Sequence, residues 1–264
     1  MRARRPRRHP KTPASVELRP ASRFGQGAGQ FGGEGGLFVR PEIIGDFHPR
    51  AARRQFEPLQ AEFLVLFIGA PLAMALFLPP RGLFPALFGF TLAGLALIWW
   101  TGEFDWRELV RGWRRIRWGR MALFGLAVGL TGYAIMAATH PGFEINTSRA
   151  WLRFVPFILI FYPLLSALPQ ELIFRALYFH RYAPLMGSAR SARLVNAAVF
   201  SFAHLMYWSA VVAVMTFVGG LIFARLYQQR GFPAAWVAHA IAGNVLFVVG
   251  MGAFFYSGNV VRPF

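Results

Sequence analysis

Two ionisable side chains lie one helical turn apart inside an apolar part of the sequence. Glu171 and Arg175 belong to the run Leu168–His180 and, as residues i and i+4, share one face of a helix and can pair. A charged side chain within a bilayer costs about 2.5–3.5 kcal/mol on insertion scales, so such residues usually mark function. A carboxylate here can accept a proton from water, whereas a buried ion pair can also serve only to fix helix packing. The pair alone supports both interpretations equally.

Two histidines lie in apolar segments further along the chain. His204 follows Asn196 and Phe200 at four-residue spacing, so the three share one stripe of a helix. His239 lies in a later apolar segment. A single histidine in such a segment is more often a packing residue than a catalyst. Together with Glu171, however, the two histidines give three titratable groups that can converge in one helix bundle, which indicates a shared site.

The composition is typical of a membrane protein and excludes several kinds of chemistry. Of the 264 residues, 56% are hydrophobic and 15% are charged, and long apolar runs with few charges indicate transmembrane helices. The net charge of +17 comes from basic residues that flank these runs, so we expect no nucleic-acid partner. The chain has no cysteine, no Gly-x-Ser-x-Gly motif and no Asp after position 105. Cysteine, serine and aspartyl protease mechanisms are therefore disfavoured.

The apolar runs predict an all-α fold, a polytopic membrane helix bundle of seven or eight transmembrane helices. Each run has about the 17–25 residues that cross the hydrocarbon core at 1.5 Å per residue. The seven predicted spans are Phe63–Leu78, Leu83–Trp100, Met121–Thr139, Leu152–Leu168, Ala192–Trp208, Ala210–Tyr227 and Ala234–Tyr256.

The positions of lysine and arginine orient this bundle. With the N-terminus inside, nearly all of the 28 basic residues fall in inner segments, and the outer segments contain Arg81, Arg149, Arg153 and Arg262. The positive-inside rule therefore predicts a multi-pass protein of the plasma (cell inner) membrane with a cytosolic N-terminus.

The segments outside the spans divide the chain. Residues 1–60 are rich in Arg, Gly and Pro and cannot bury enough apolar surface to fold, so we expect a disordered basic cytosolic arm. Glu103–Arg120 interleaves Trp with Arg, which predicts a helix lying in the cytosolic membrane interface. Residues 61–145 then hold the N-terminal transmembrane helices with this interfacial helix, and residues 146–264 hold the remaining spans.

Three short motifs follow one another on three of the apolar segments. They are Gln170-Glu171-Leu-Ile-Phe-Arg175, Phe200-Ser-Phe-Ala-His204 and His239-Ala-Ile-Ala-Gly243-Asn244. In this order they resemble the CAAX-protease and bacteriocin-processing (CPBP, or Abi) family of intramembrane proteases. The pattern of that family is Glu-Glu-x-x-x-Arg, then Phe-x-x-x-His, then His followed one turn later by Asn or Asp. The resemblance covers about residues 150–250.

The resemblance implies an intramembrane endopeptidase whose catalytic domain is residues 146–264. Glu171 would take the proton of a water molecule as general base, and His204 would orient that water or share its proton. His239, with Asn244, would stabilise the oxyanion. The substrate would be a membrane-associated protein or peptide. The implied site residues are Glu171, Arg175, His204, His239 and Asn244.

The same residues leave the catalytic type open between a glutamic and a metal-dependent mechanism. A Zn²⁺ held by Glu171, His204 and His239 would be a two-His-one-Glu set with one position left for water. The sequence contains no His-Glu-x-x-His motif, and we expect no tightly held zinc or other cofactor.

Two residues depart from the family pattern. Gln170 stands where the first Glu of the pair is expected, so a catalytically inactive membrane scaffold or chaperone of the same fold is the alternative function. Asn244 follows His239 by five residues, which turns it about 140° away on a regular helix and places Gly243 on the matching face. A π-bulge at Gly243 would restore the alignment.

A transporter or channel that relays protons through Glu171 and the histidines is the third alternative. Intramembrane ionisable residues are common in such proton pathways. The sequence shows no internal repeat of the kind found in many transporters, which argues against this function.

Overall fold

The computed structural model describes residues 58–79, 82–256, 260 and 263. Within these residues the chain contains helices and no β-strand, which confirms the predicted all-α fold. The predicted arm of residues 1–60 lies outside the described residues, except for its last three, which begin the first helix.

Eight helices follow one another in the described part of the chain. They are α1 (Pro58–Phe77), α2 (Leu83–Thr101), α3 (Trp118–Thr139), α4 (Arg149–Met186), α5 (Ala189–Ala203), α6 (Ala210–Arg230), α7 (Phe232–Val248) and α8 (Gly252–Phe255). Five of them, α1, α2, α3, α4 and α6, are long and apolar enough to cross a membrane, and α7 is apolar but has only 17 residues. The chain is therefore a membrane helix bundle.

The fifth predicted span, Ala192–Trp208, is too long. Helix α5 has 15 residues and ends at Ala203, which gives it a length of about 23 Å at 1.5 Å per residue. The backbone leaves the helical path at His204 (φ −92°, ψ 5°), and a short 3₁₀ helix, Leu205–Tyr207, follows. Ser209 then caps α6 by accepting a hydrogen bond from the backbone N–H of Val212. The apolar segment Ala192–Trp208, which hydropathy predicts as one transmembrane span, therefore contains the end of α5 and a turn.

The predicted interfacial helix between α2 and α3 is wrong. The segment instead contains two short 3₁₀ helices, Trp106–Leu109 and Trp113–Arg115. Gly112 separates them with φ 114°, and a Cβ at this position would lie 2.6 Å from the carbonyl oxygen of Arg230. A residue other than glycine would be strained in this conformation, so Gly112 interrupts any continuous helix and lets the segment approach the end of α6.

Helix α4 is irregular and contains four prolines, Pro156, Pro163, Pro169 and Pro184. Two stretches have π-helical hydrogen bonding, Pro163–Ala167 and Leu172–Tyr182. Pro163 has no N–H to donate to the carbonyl of Leu159, four residues earlier. Side chains of α7 contact this region: Asn244 Nδ2 donates to the Leu159 oxygen at 3.3 Å, and Trp236 Nε1 donates to the Pro163 oxygen at 2.8 Å. These two bonds fasten α7 to the irregular part of α4.

An ion pair connects α1 to the last part of α4. Arg181 donates from Nε and Nη2 to the two carboxylate oxygens of Glu62, at 2.6 Å each, and the Tyr182 hydroxyl donates to the same carboxylate. The side chains of Arg181 and Glu62 are 21% and 27% exposed. A two-point, partly buried pair of this kind has fixed geometry and is stronger than an exposed one.

We expect Glu62→Gln to lower the free energy of unfolding by about 1–3 kcal/mol, because the bonds that it weakens are made to a charged group. The measurement is unfolding in mixed micelles by titration with dodecyl sulfate. Asp105→Asn is the matched control, since Asp105 pairs with Arg111 where both side chains are about half exposed and such pairs contribute at most about 1 kcal/mol. If both variants lost the same free energy of unfolding, the Glu62–Arg181 pair would be no stronger than the exposed pair of Asp105 and Arg111.

Candidate active site

The helix α4 brings Glu171 and Arg175 together as the sequence predicts. Their side chains have no exposed surface, and Arg175 Nε lies 3.2 Å from Glu171 Oε2. Arg175 belongs to the π-helical stretch of α4, in which seven of the 11 residues are buried. A guanidinium and a carboxylate this deep in the protein are tolerable only as a pair, because an unpaired buried charge is strongly destabilising.

Helix α5 contributes a second set of contacts to Arg175. Arg175 Nη1 donates to Asn196 Oδ1 at 2.6 Å and to the Phe174 carbonyl at 3.1 Å, and Asn196 Nδ2 donates to that same carbonyl at 2.6 Å. The guanidinium carbon also lies 5.1 Å from the centre of the Phe200 ring, a distance suited to a cation–π interaction. Asn196 therefore fixes the arginine. The sequence places Asn196 on the same helix face as His204. A polar amide in an apolar segment is the only feature of the sequence that indicates a role for Asn196.

His239 of α7 completes this buried group. Its Nδ1 lies 2.9 Å from Glu171 Oε1, and its side chain is 7% exposed. Because an ionised carboxylate can only accept, Nδ1 carries the proton and donates it to Glu171. The imidazole stacks on the Phe223 ring with the two centres 4.8 Å apart. Glu171 thus orients the histidine, as carboxylates do in other carboxylate–histidine pairs.

His204 follows the end of α5, and a hydrogen bond to the backbone of that helix orients its imidazole. Its Nδ1 is 2.7 Å from the carbonyl oxygen of Phe200, which requires Nδ1 to be the donor. In the neutral imidazole this leaves the lone pair of Nε2 as an acceptor. The Phe200 ring contacts both histidines, with centres 4.7 Å from His204 and 5.6 Å from His239.

A cavity of about 110 Å³ adjoins His204. Most of its wall is apolar and comes from α1, α2 and α4, and its polar lining residues are Ser166, Gln170, His204 and Tyr207. Gln170 Nε2 donates to the Ser166 hydroxyl at 3.0 Å, whereas Gln170 Oε1 has no hydrogen-bond partner among the described residues. Gln170 and Glu171 therefore have different environments: the amide lines the cavity, and the carboxylate is buried beside α7.

The structure does not bring Asn244 to the other predicted site residues. Helix α7 is α-helical from Phe232 to Val248, without a π-bulge at Gly243. Asn244 is consequently turned away, as the spacing predicts for a regular helix, and it bonds to α4 through the carbonyl of Leu159. The face that it would have occupied is filled by the ring of Tyr162, which contacts His239 with ring centres 6.2 Å apart. Sequence reasoning missed Tyr162 because nothing in the sequence connects it with Gly243.

The alternative zinc site does not fit this geometry. Among the described residues, no three His, Asp or Glu side chains come close enough together to hold a metal ion. The two oxygens of Glu171 face Arg175, whose Nε lies 3.2 Å from Oε2, and the Nδ1–H of His239, which donates to Oε1 at 2.9 Å. A metal at Glu171 would have to displace both of these positively polarised groups.

A comparison with protein families found a match, and it includes the residues of the site. Residues 151–245 match the family model described as type II CAAX prenyl endopeptidase Rce1-like. Comparison with curated proteins and with solved structures gave no significant match. The matched region runs from α4 to α7 and contains all three motifs. It confirms the resemblance seen in the sequence: residues 151–245 are similar to the Rce1-like family.

Proposed function

We propose that the protein is an intramembrane endopeptidase that hydrolyses a peptide bond of a membrane-associated protein, with His204 activating the water. The observation that carries this proposal is that His204 lines a cavity and has its Nδ1 bonded to a backbone carbonyl, beside a buried Glu171–His239 pair. We further propose the orientation that the basic residues predict, with the N-terminus in the cytosol and the protein in the plasma (cell inner) membrane.

We choose His204 as the general base because its neighbours Gln170 and Glu171 are poorly suited to accept a proton. Gln170 lines the same cavity but is an amide and cannot take a proton at neutral pH. Glu171 is fully buried, with Arg175 on one oxygen and His239 on the other. Proton transfer to Glu171 would remove the charge that balances Arg175. Protonation of His204 at Nε2 would leave the charge balance of the Glu171–Arg175 pair intact.

Glu171 then acts through His239. In the imidazolium form of His239, the Nδ1–H bonds to Glu171 and the Nε2–H can donate to a developing negative charge. Arg175 pairs with Glu171, and Asn196 keeps Arg175 in place. Glu171 and Arg175 are positioning residues in this scheme, and His204 and His239 are the catalytic ones.

The reaction proceeds by two proton transfers through His204. The oxygen of the water attacks the carbonyl carbon of the scissile bond while His204 Nε2 takes one of its protons. The resulting oxyanion accepts a hydrogen bond from His239 Nε2. The tetrahedral intermediate then collapses, the carbon–nitrogen bond breaks, and His204 returns the proton to the leaving amine. The products are a carboxylic acid and an amine.

The depth of the cavity in the proposed orientation follows from α2. Leu83, Phe84, Leu87 and Phe90 line the cavity together with Gln170, and α2 begins at Leu83, just after the outer Arg81. Phe90 follows Leu83 by seven residues, or about 11 Å at 1.5 Å per residue, in a hydrocarbon core about 30 Å thick. The cavity therefore belongs to the outer half of the membrane in this orientation.

The cavity wall supports an apolar group on the substrate. Helices α1 and α2 supply only apolar residues to it, and an apolar group gains about 25 cal/mol per Å² of surface that it removes from water. The matched family is named for prenylated CAAX proteins. A peptide with an apolar or lipid-modified residue next to the scissile bond is the substrate class that we propose.

The test compares protein termini in membranes from cells that carry the wild type, His204→Ala, Glu171→Gln or the control His140→Ala. His140 is an exposed histidine bonded to Thr139, away from the residues of the site. We expect the wild type and His140→Ala to produce the same new termini, and the other two variants to lack them at equal protein levels. These termini also identify the substrate and the cleaved bond.

Identical termini in all four samples would contradict proteolysis by this protein. The catalytically inactive scaffold or chaperone would then become the leading function, with Gln170 as the mark of the lost activity.

A further inference from the structure

We propose that Tyr162 is a further catalytic residue, whose phenolic hydroxyl donates a hydrogen bond to the oxyanion beside His239. This inference rests on the hydrolytic function proposed above. It adds a donor that none of the three sequence motifs contains.

The first observation is the close approach of Tyr162 to α7. A Cβ at Gly243 would lie 2.0 Å from Cζ of the Tyr162 ring and 2.2 Å from its hydroxyl oxygen. Gly243 follows His239 by four residues and so lies within about 40° of it on the helix surface. The hydroxyl therefore occupies the place of a side chain one turn after His239, and it can do so only because residue 243 is glycine.

The second observation concerns what holds Tyr162 there. Two hydrogen bonds from α7 reach the backbone of α4 on either side of it, from Asn244 to Leu159 and from Trp236 to Pro163. The Leu159 carbonyl has no helical hydrogen-bond donor at position 163, because Pro163 has no backbone N–H. These bonds bracket Tyr162 within a stretch of five residues and hold its ring against Gly243. Asn244 thus contributes to the site indirectly, by positioning Tyr162.

The third observation is that the hydroxyl is available to a substrate. Tyr162 is only half-buried, and its hydroxyl makes no hydrogen bond among the described residues. The ring meets His239 edge to face, with the two ring centres 6.2 Å apart. It is therefore near the buried Glu171–His239 pair. A phenol is one of the side-chain donors that stabilise oxyanions in enzymes.

The experiment measures kcat and KM on the peptide whose cleavage the comparison of termini identifies. Tyr162→Phe keeps the ring and removes the hydroxyl, and we expect kcat to fall about 10²-fold with KM and thermal unfolding unchanged, as when one oxyanion donor is removed. Gly243→Ala displaces the ring, and we expect a similar fall. The matched control is Gly119→Ala on α3, where a Cβ has no other atom within 4 Å, and it should retain the wild-type kcat.

The outcomes separate this inference from the proposed function. A wild type that cleaves no peptide would overturn both. A wild type that cleaves, with Tyr162→Phe at the same kcat, would overturn the role of Tyr162 and leave the proposed function intact. A rise in KM at constant kcat would overturn it as well, because the hydroxyl would then bind the substrate and not the transition state.

Discussion

His204→Asn is expected to lower the rate of hydrolysis by about 10²–10⁴-fold, the usual contribution of a general base. The Nδ2 of asparagine can take the place of the histidine Nδ1 and donate to the Phe200 carbonyl, so the end of α5 keeps its hydrogen bond. What the variant loses is the Nε2 lone pair. The loss of rate should therefore come without a loss of stability.

The measurement for His204→Asn is the rate of peptide cleavage together with unfolding in detergent. His180→Asn is the matched control: His180 belongs to the same bundle but contacts Phe104, edge to face at 5.2 Å, and takes no part in the proposed chemistry. It should cleave at the wild-type rate. If His204→Asn kept more than a third of the wild-type rate, another group would have to be the base.

Arg175→Met is expected to give the largest loss of stability, about 3–5 kcal/mol, since it leaves a buried carboxylate without its arginine. It also deprives Asn196 Oδ1 and the Phe174 carbonyl of a donor. The double variant Glu171→Gln with Arg175→Met removes both charges, and we expect it to be more stable than Arg175→Met alone while remaining inactive. Stability would be measured by dodecyl sulfate titration in mixed micelles.

The control for Arg175→Met is Arg111→Met, which breaks the exposed pair with Asp105 and should cost at most about 1 kcal/mol. Two results would falsify the account of the buried pair: a loss in Arg175→Met no larger than in Arg111→Met, or a double variant less stable than either single one.

The sequence predicted the site better than it predicted the ends of the helices. Hydropathy identified the long apolar helices, and i,i+4 spacing predicted the Glu171–Arg175 pair, because both depend on local periodicity. The helix predicted over Glu103–Arg120 failed because Gly112 adopts a positive φ to meet Arg230, a residue more than 100 positions away. The predicted span through Trp208 failed because hydropathy does not detect a turn made of apolar residues such as Leu205–Tyr207.

The contacts within the site depended on tertiary structure in the same way. The spacing of Asn244 from His239 correctly predicted that it turns away on a regular helix. No pattern, however, indicated that Tyr162 would fill the space at Gly243, since that approach depends on how Pro163 reshapes α4 and on bonds from Asn244 and Trp236. Likewise, the bond between His239 and Glu171 joins residues 68 positions apart.

The cavity beside His204 draws its wall from two parts of the chain. Its residues from Ser166 to Tyr207 lie within residues 151–245, the region that matches the Rce1-like family model, as do Glu171 and His239. The other lining residues belong to α1 and α2, from Pro71 to Phe90, and precede that region. Under the proposed function, a substitution in α1 or α2 would change the shape of the cavity without replacing any of the groups that carry out the hydrolysis.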